Sequence, residues 1–140
     1  MRRYYYFAYG SNMDKEQMKF RCPGAVYEGV AVLHGYKLTE RRYADIDKSD
    51  QGSVSGLLWN ITETDLKALD RYEGYPSLYE RKDVTVIIQH SCGCTAYPAF
   101  AYIMTPETKV EREGQKYSEY YRDICSRAAQ VAGIKDEFSK

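Results

Sequence analysis

One capped helix standing between long runs of strand-like alternation is the feature that most restricts how this chain can fold. Thr62-Glu63-Thr64-Asp65 predicts a helix start, with a cap at Thr62 and acids in the first turn. Gly74 closes the helix near Tyr72 or Glu73, and Pro76 lies beyond it. On its N-terminal side, residues 4–9 predict a short aromatic strand that stops at Gly10. Residues 25–33 and 35–41 alternate through Ala25, Tyr27, Val30, Val32, Tyr36 and Leu38 about a turn near His34-Gly35, and residues 53–61 read as an internal strand. On its C-terminal side, residues 79–90 and 95–103 predict two strands across a Cys92-Gly93 hairpin. This order predicts an α+β fold with a curled, largely antiparallel sheet.

The remaining segments predict shorter pieces. Asp14 to Arg21 reads as a two-turn helix capped by Ser11, Asn12 or Asp14 and broken by Pro23-Gly24. Residues 43–52, polar and ending in Gly52, read as a loop, as does the segment with Pro106. The runs Glu40-Arg41-Arg42 and Lys109 to Glu113 read as solvated loop charges. A last helix over 115–132 places Tyr117, Tyr121, Ile124, Ala128 and Val131 at helical spacing and ends at Gly133. The length of 140 residues fits one domain, 1–140, with a core of its own. Fifteen tyrosines suit half-buried strands with a polar rim.

Composition excludes several function classes. Lysine plus arginine and aspartate plus glutamate total 20 each, so there is no basic stripe for nucleic acid and no electrostatic membrane anchor. No apolar run approaches the roughly 20 residues of a membrane helix. The start, Met1-Arg2-Arg3 before Tyr4-Tyr5-Tyr6-Phe7, lacks a small-residue cleavage site and reads as a strand. The expected address is the cytoplasm. Cys22, Cys92, Cys94 and Cys125 are too sparse for a disulfide scaffold, which suits a reducing compartment. His90-x-Cys92-x-Cys94 lacks a fourth ligand at zinc-site spacing, so neither metal nor cofactor is expected.

Two places carry chemistry. In Tyr9-Gly10-Ser11-Asn12, a glycine turn after a strand lets backbone reach φ > 0 and approach a ligand closely. Ser11 and Asn12 add short polar groups, and the helix that follows points free N–H groups at the same spot. Such a turn suits a carboxylate or an oxyanion, and it equally suits an ordinary turn with a helix cap. The second place is Glu73, which shares a helix face with Leu66 and Leu69. A carboxyl on an apolar face and near a helix C-terminus has its pKa raised toward the working pH, as a group that both takes and gives a proton requires. The competing reading is a glutamate turned to solvent or paired with Arg71 or Arg81. With His34 and His90 alone, no Ser/His/Asp set is recognisable.

Three ordered blocks carry a resemblance. Phe7-Ala8-Tyr9-Gly10-Ser11-Asn12-Met13 resembles the Tyr-Gly-Ser-Asn-Leu/Met signature of the γ-glutamylcyclotransferase-like family. Leu69-Asp70-Arg71-Tyr72-Glu73-Gly74 followed by Tyr79-Glu80-Arg81 resembles its second block, and Ser118, Tyr121, Ile124, Ala128 and Gly133-Ile134 its closing helix. The chain departs from the family at Arg127, where a glycine is usual, and in its short 43–52 segment at the expected pocket rim. The resemblance implies a closed, mostly antiparallel, β-barrel-like sheet with flanking helices. It implies cofactor-free cyclisation of a small γ-glutamyl amide or amine to 5-oxoproline, with Glu73 as general acid/base. It also implies that Tyr9, Gly10, Ser11, Asn12, Met13 and Tyr102 bind substrate; a core tyrosine is the other reading of Tyr102. A homodimer is in keeping with the family. Two other readings stand beside the cyclotransferase: a non-catalytic binder of small anions or γ-glutamyl groups, and an acyl-releasing enzyme of a biosynthetic pathway.

Overall fold

The structure, a computed structural model, describes residues 2–139; Met1, part of the charged start weighed above, and Lys140 lie outside the described residues. Five strands run in the order β1 (Arg3–Ala8), β2 (Val26–Arg41), β3 (Tyr43–Thr62), β4 (Tyr79–His90) and β5 (Gly93–Met104). Helix α1 (Lys15–Arg21) follows β1, α2 (Glu63–Glu73) joins β3 to β4, and α3 (Pro106–Arg112) and α4 (Glu119–Ala132) complete the chain. In space the strands lie β1-β3-β2-β4-β5, and the sheet closes on itself. All pairings are antiparallel except β1 with β5, which is parallel and meets at Tyr6 and Phe100. Closure between β2 and β4 is equally thin, at Val32 and Ile87, so the sheet is barrel-like and α+β as expected.

Helix α2 forms where its ends were read. Thr62 and Asp65 make a reciprocal capping box, each side chain taking the other's backbone N–H at 3.1 Å. Gly74 ends the helix in the left-handed region at φ 69°. Leu66 and Leu69 are buried, so the helix lies on the sheet by the face that also carries Glu73. The Asp65 carboxylate also accepts the Gly24 N–H at 3.3 Å, tying the end of α1 to the start of α2.

Five expectations are corrected. Residues 43–52 are strand, paired with Tyr36–Arg41 across the tight turn at Arg42. Their charge is neutralised within the fold: Asp45, fully buried, meets Arg41 at 2.9 Å and Lys109 at 2.7 Å, and Asp47 meets the same two cations. Arg41 and Lys109 are therefore ion-pair members and not solvated loop charges. The segment at Pro106 is helix α3, because proline is accepted in a first turn and Thr105 caps it by accepting the Thr108 N–H. The expected turn near His34-Gly35 is a register shift inside one continuous β2, with Gly35 at φ 86°. In α4 the inward face is Cys125, Ala128 and Ala129, whereas Val131 is 75% exposed; Ser118 caps the helix, which starts later than expected.

Candidate active site

The turn after β1 is a single 3-10 turn, Ser11–Met13, held by bonds from the Met13 N–H to the Gly10 carbonyl (3.1 Å) and the Asp14 N–H to the Ser11 carbonyl (3.0 Å). Asp14 takes the capping task, accepting the Gln17 N–H at 3.0 Å. Ser11 and Asn12 are thus not the cap, and both are buried. Gly10 has φ −122°, so the expected positive φ is not what the position requires. Space is what requires it. A β-carbon there would come 2.6 Å from the Tyr121 hydroxyl and 3.3 Å from the Ala44 β-carbon.

Asn12 is held at its backbone carbonyl and at both side-chain polar atoms. Its carbonyl accepts from the Trp59 indole at 3.1 Å, its amide donates to the Tyr6 hydroxyl at 3.0 Å, and its side-chain oxygen accepts from Arg21 at 2.6 Å. Arg21 also reaches Ser11 Oγ at 3.5 Å and lies over the Tyr72 ring at 3.4 Å. The backbone N–H groups of Gly10, Ser11 and Asn12 have no acceptor among the described residues. The turn is a rigid set of donors whose side chains serve as its frame.

Glu73, the last residue of α2, faces the same cavity, about 270 Å³ in volume. Neither partner weighed for it is engaged: Arg71 is exposed, and Arg81 lies 3.4 Å from Asp70. Burial pushes the Glu73 carboxyl up to about 7, against a partial pull downward from the Arg21 charge. A carboxyl at that value holds and releases a proton with similar ease near neutral pH.

Tyr9, Gly10, Ser11, Asn12 and Tyr102 line this cavity with Glu73, but Met13 does not. Met13 is 2% exposed and packs in the core, because the 3-10 turn directs it inward. Tyr9 donates its hydroxyl to the Tyr102 carbonyl, and Tyr102 donates its own to Asp70 Oδ1 at 2.7 Å. Both hydroxyls are therefore committed to protein partners, and burial raises both pKa values well above the ordinary range. The cavity also takes in residues that the sequence did not mark as part of a site: Tyr6, Tyr43, Tyr79 and Arg112. Tyr79 donates to the Ala44 carbonyl at 3.2 Å, and Tyr121, expected only as part of a helix face, accepts the Ala44 N–H at 3.1 Å. Tyr79 sits at the start of a strand that was read correctly, but nothing in the local pattern tells which face of it meets the turn. Among the described residues no group of three or more His, Cys, Asp or Glu side chains is placed to hold a metal.

A closed sheet that brings a carboxyl and a donor turn into one cavity is the frame of a small enzyme. The chain belongs to the γ-glutamylcyclotransferase family: the family model described as "Gamma-glutamyl cyclotransferase, AIG2-like" matches residues 6–123. Its relatives include the γ-glutamylcyclotransferases of Bos taurus and Homo sapiens, each 30% identical over 96% of this chain and 74% of the relative. Among solved structures, one described as γ-glutamyl cyclotransferase superposes with a TM-score of 0.79 at 26% identity, over 98% of this chain and 84% of that one. YkqA from Bacillus subtilis superposes with a TM-score of 0.70 at 26% identity, over 99% of this chain and 52% of that one. The chain is accordingly an enzyme of the γ-glutamylcyclotransferase type.

Proposed function

We propose that this enzyme cyclises a small γ-glutamyl amide to 5-oxoproline and releases the attached amine, with Glu73 moving the protons. The observation that carries the reading is a carboxyl held near 7 in the same cavity as three backbone N–H groups without protein acceptors. In such a substrate the α-amine attacks the γ-carbonyl carbon of the same molecule, a five-membered lactam closes, and the carbon–nitrogen bond to the leaving group breaks. Nucleophile and electrophile are already joined, so holding the substrate in its folded form supplies much of the rate. The α-amine is an ammonium at neutral pH and cannot attack until it loses a proton. Ionised Glu73 takes that proton, and protonated Glu73 gives one to the leaving nitrogen. The Gly10–Asn12 N–H groups hold either the substrate's α-carboxylate or the oxyanion of the tetrahedral intermediate.

The test is 5-oxoproline release from a panel of γ-glutamyl amino acids and γ-glutamyl amines, with wild type and Glu73→Gln side by side. The expected result is turnover by wild type and a loss of about 100-fold or more in kcat for the variant, with substrate binding largely kept. Normal turnover by Glu73→Gln removes the acid/base assignment, and a wild type silent on the whole panel removes the reaction.

A further inference from the structure

Arg112 lines the cavity, and Arg21 stands behind the turn; the two cations are differently occupied. Arg21 is bound to Asn12 and Ser11 and covered by Tyr72. Arg112, the last residue of α3, has no hydrogen bond or ion pair from its guanidinium among the described residues. Its neighbour Glu113 leans instead toward Arg41, at 3.5 Å. Half-buried Arg112 lies 5.4 Å from the centre of the Tyr43 ring, which stands edge-on to Tyr121 at 5.1 Å. Tyr121 is the residue whose hydroxyl meets Gly10. Arg112 therefore sits two aromatic rings out from the turn, and Tyr43, 38% exposed, is at the mouth with the other exposed lining residues, Tyr72 and Leu78. Ser11 and Asn12, 8% and 3% exposed, mark the floor.

We propose that Arg112 is a specificity-determining residue that binds a carboxylate carried by the leaving group. This rests on the cyclisation reading above. The reacting bond must lie at Glu73 and the turn, so the glutamyl half occupies the floor and the leaving half points to the mouth. A guanidinium with all its donors free is suited to a carboxylate, which it grips with two parallel hydrogen bonds. Glu73 is the only acid among the cavity-lining residues, and the charge that bears on it is that of Arg21, so no lining carboxylate is paired with Arg112. The favoured substrates are thus γ-glutamyl amino acids, in which a carboxylate lies one carbon from the leaving nitrogen.

The test compares γ-glutamylalanine with γ-glutamylethylamide, which differ only by that carboxylate, in wild type, Arg112→Ala and Arg112→Lys. The readout is the ratio of kcat/KM for the two substrates. Wild type is expected to favour γ-glutamylalanine, the ratio to fall about 10- to 100-fold in Arg112→Ala, and Arg112→Lys to fall between. An unchanged ratio overturns the proposal. If both substrates weaken together, Arg112 serves the glutamyl half or the fold; if neither weakens, it binds nothing. A wild type inactive on both substrates instead refutes the cyclisation reading, and that outcome is seen without any variant.

Discussion

Replacing Glu73 by glutamine should make the protein's stability relative to wild type depend on pH, in a direction fixed by where Glu73 sits. In the native state burial holds its carboxyl at about 7, whereas the ordinary value for glutamate is 4.5. Below pH 4.5 both native and unfolded chains carry the proton, and the fold suffers no penalty at this position. Between 4.5 and 7 the unfolded chain releases its proton first, so it binds fewer protons and the native state loses stability as pH rises. Above 7 the loss is complete. At about 1.4 kcal/mol per pH unit the full effect is about 3 kcal/mol, of which roughly 2–3 kcal/mol falls between pH 5 and pH 8.5. Glutamine has the same shape and no charge. Whatever the offset at pH 5, Glu73→Gln should therefore gain roughly 2–3 kcal/mol on wild type by pH 8.5, since every other titrating group is common to both. Urea denaturation of both proteins at five or six pH values in that interval measures it. A stability difference flat with pH, or one that moves against the variant as pH rises, would refute the desolvated carboxyl on which the proton-transfer role depends.

Two further perturbations test the frame around that residue. Gly10→Ala places a methyl 2.6 Å from the Tyr121 hydroxyl, so it should cost about 1–3 kcal/mol in urea denaturation. Adding Tyr121→Phe should recover part of that cost; strict additivity of the two changes would mean the clash is not the cause. Asp45→Asn leaves Arg41 and Lys109 without their fully buried partner and should destabilise by about 3 kcal/mol or more, read as a lower urea midpoint.

What could be read from the sequence follows the reach of the interactions involved. Helix α2 was legible at both ends because Thr62, Asp65 and Gly74 act on backbone within a few residues of themselves. Glu73 was legible for the same reason: its face is set by spacing to Leu66 and Leu69, and burial then sets its proton affinity. The 43–52 segment was misread because its charges look solvated until Lys109, from a helix far along the chain, closes on Asp45 and Asp47. Helix α3 was missed because the segment with Pro106 reads as a loop when the proline occupies a first turn, and Arg112 was read with the Lys109 to Glu113 run as a solvated loop charge. The need for glycine at position 10 was anticipated but for the wrong reason. Its constraint comes from Tyr121 on α4 and Ala44 on β3, which local backbone preference does not encode. Met13 matches the motif by type, yet the turn spends it on the core.

Asn12 has a consequence for the chemistry without needing to touch a substrate. Its side-chain oxygen tethers the one arginine whose charge bears on Glu73, and Tyr72 lies against that arginine's flat face. An arginine released from this tether and drawn onto Glu73 would keep the carboxyl ionised far below neutrality and leave it a poor proton donor. The amide at position 12 thus works as a governor on the acidity of position 73: by deciding where a cation rests, it decides the pH at which a carboxylate can both accept and return a proton.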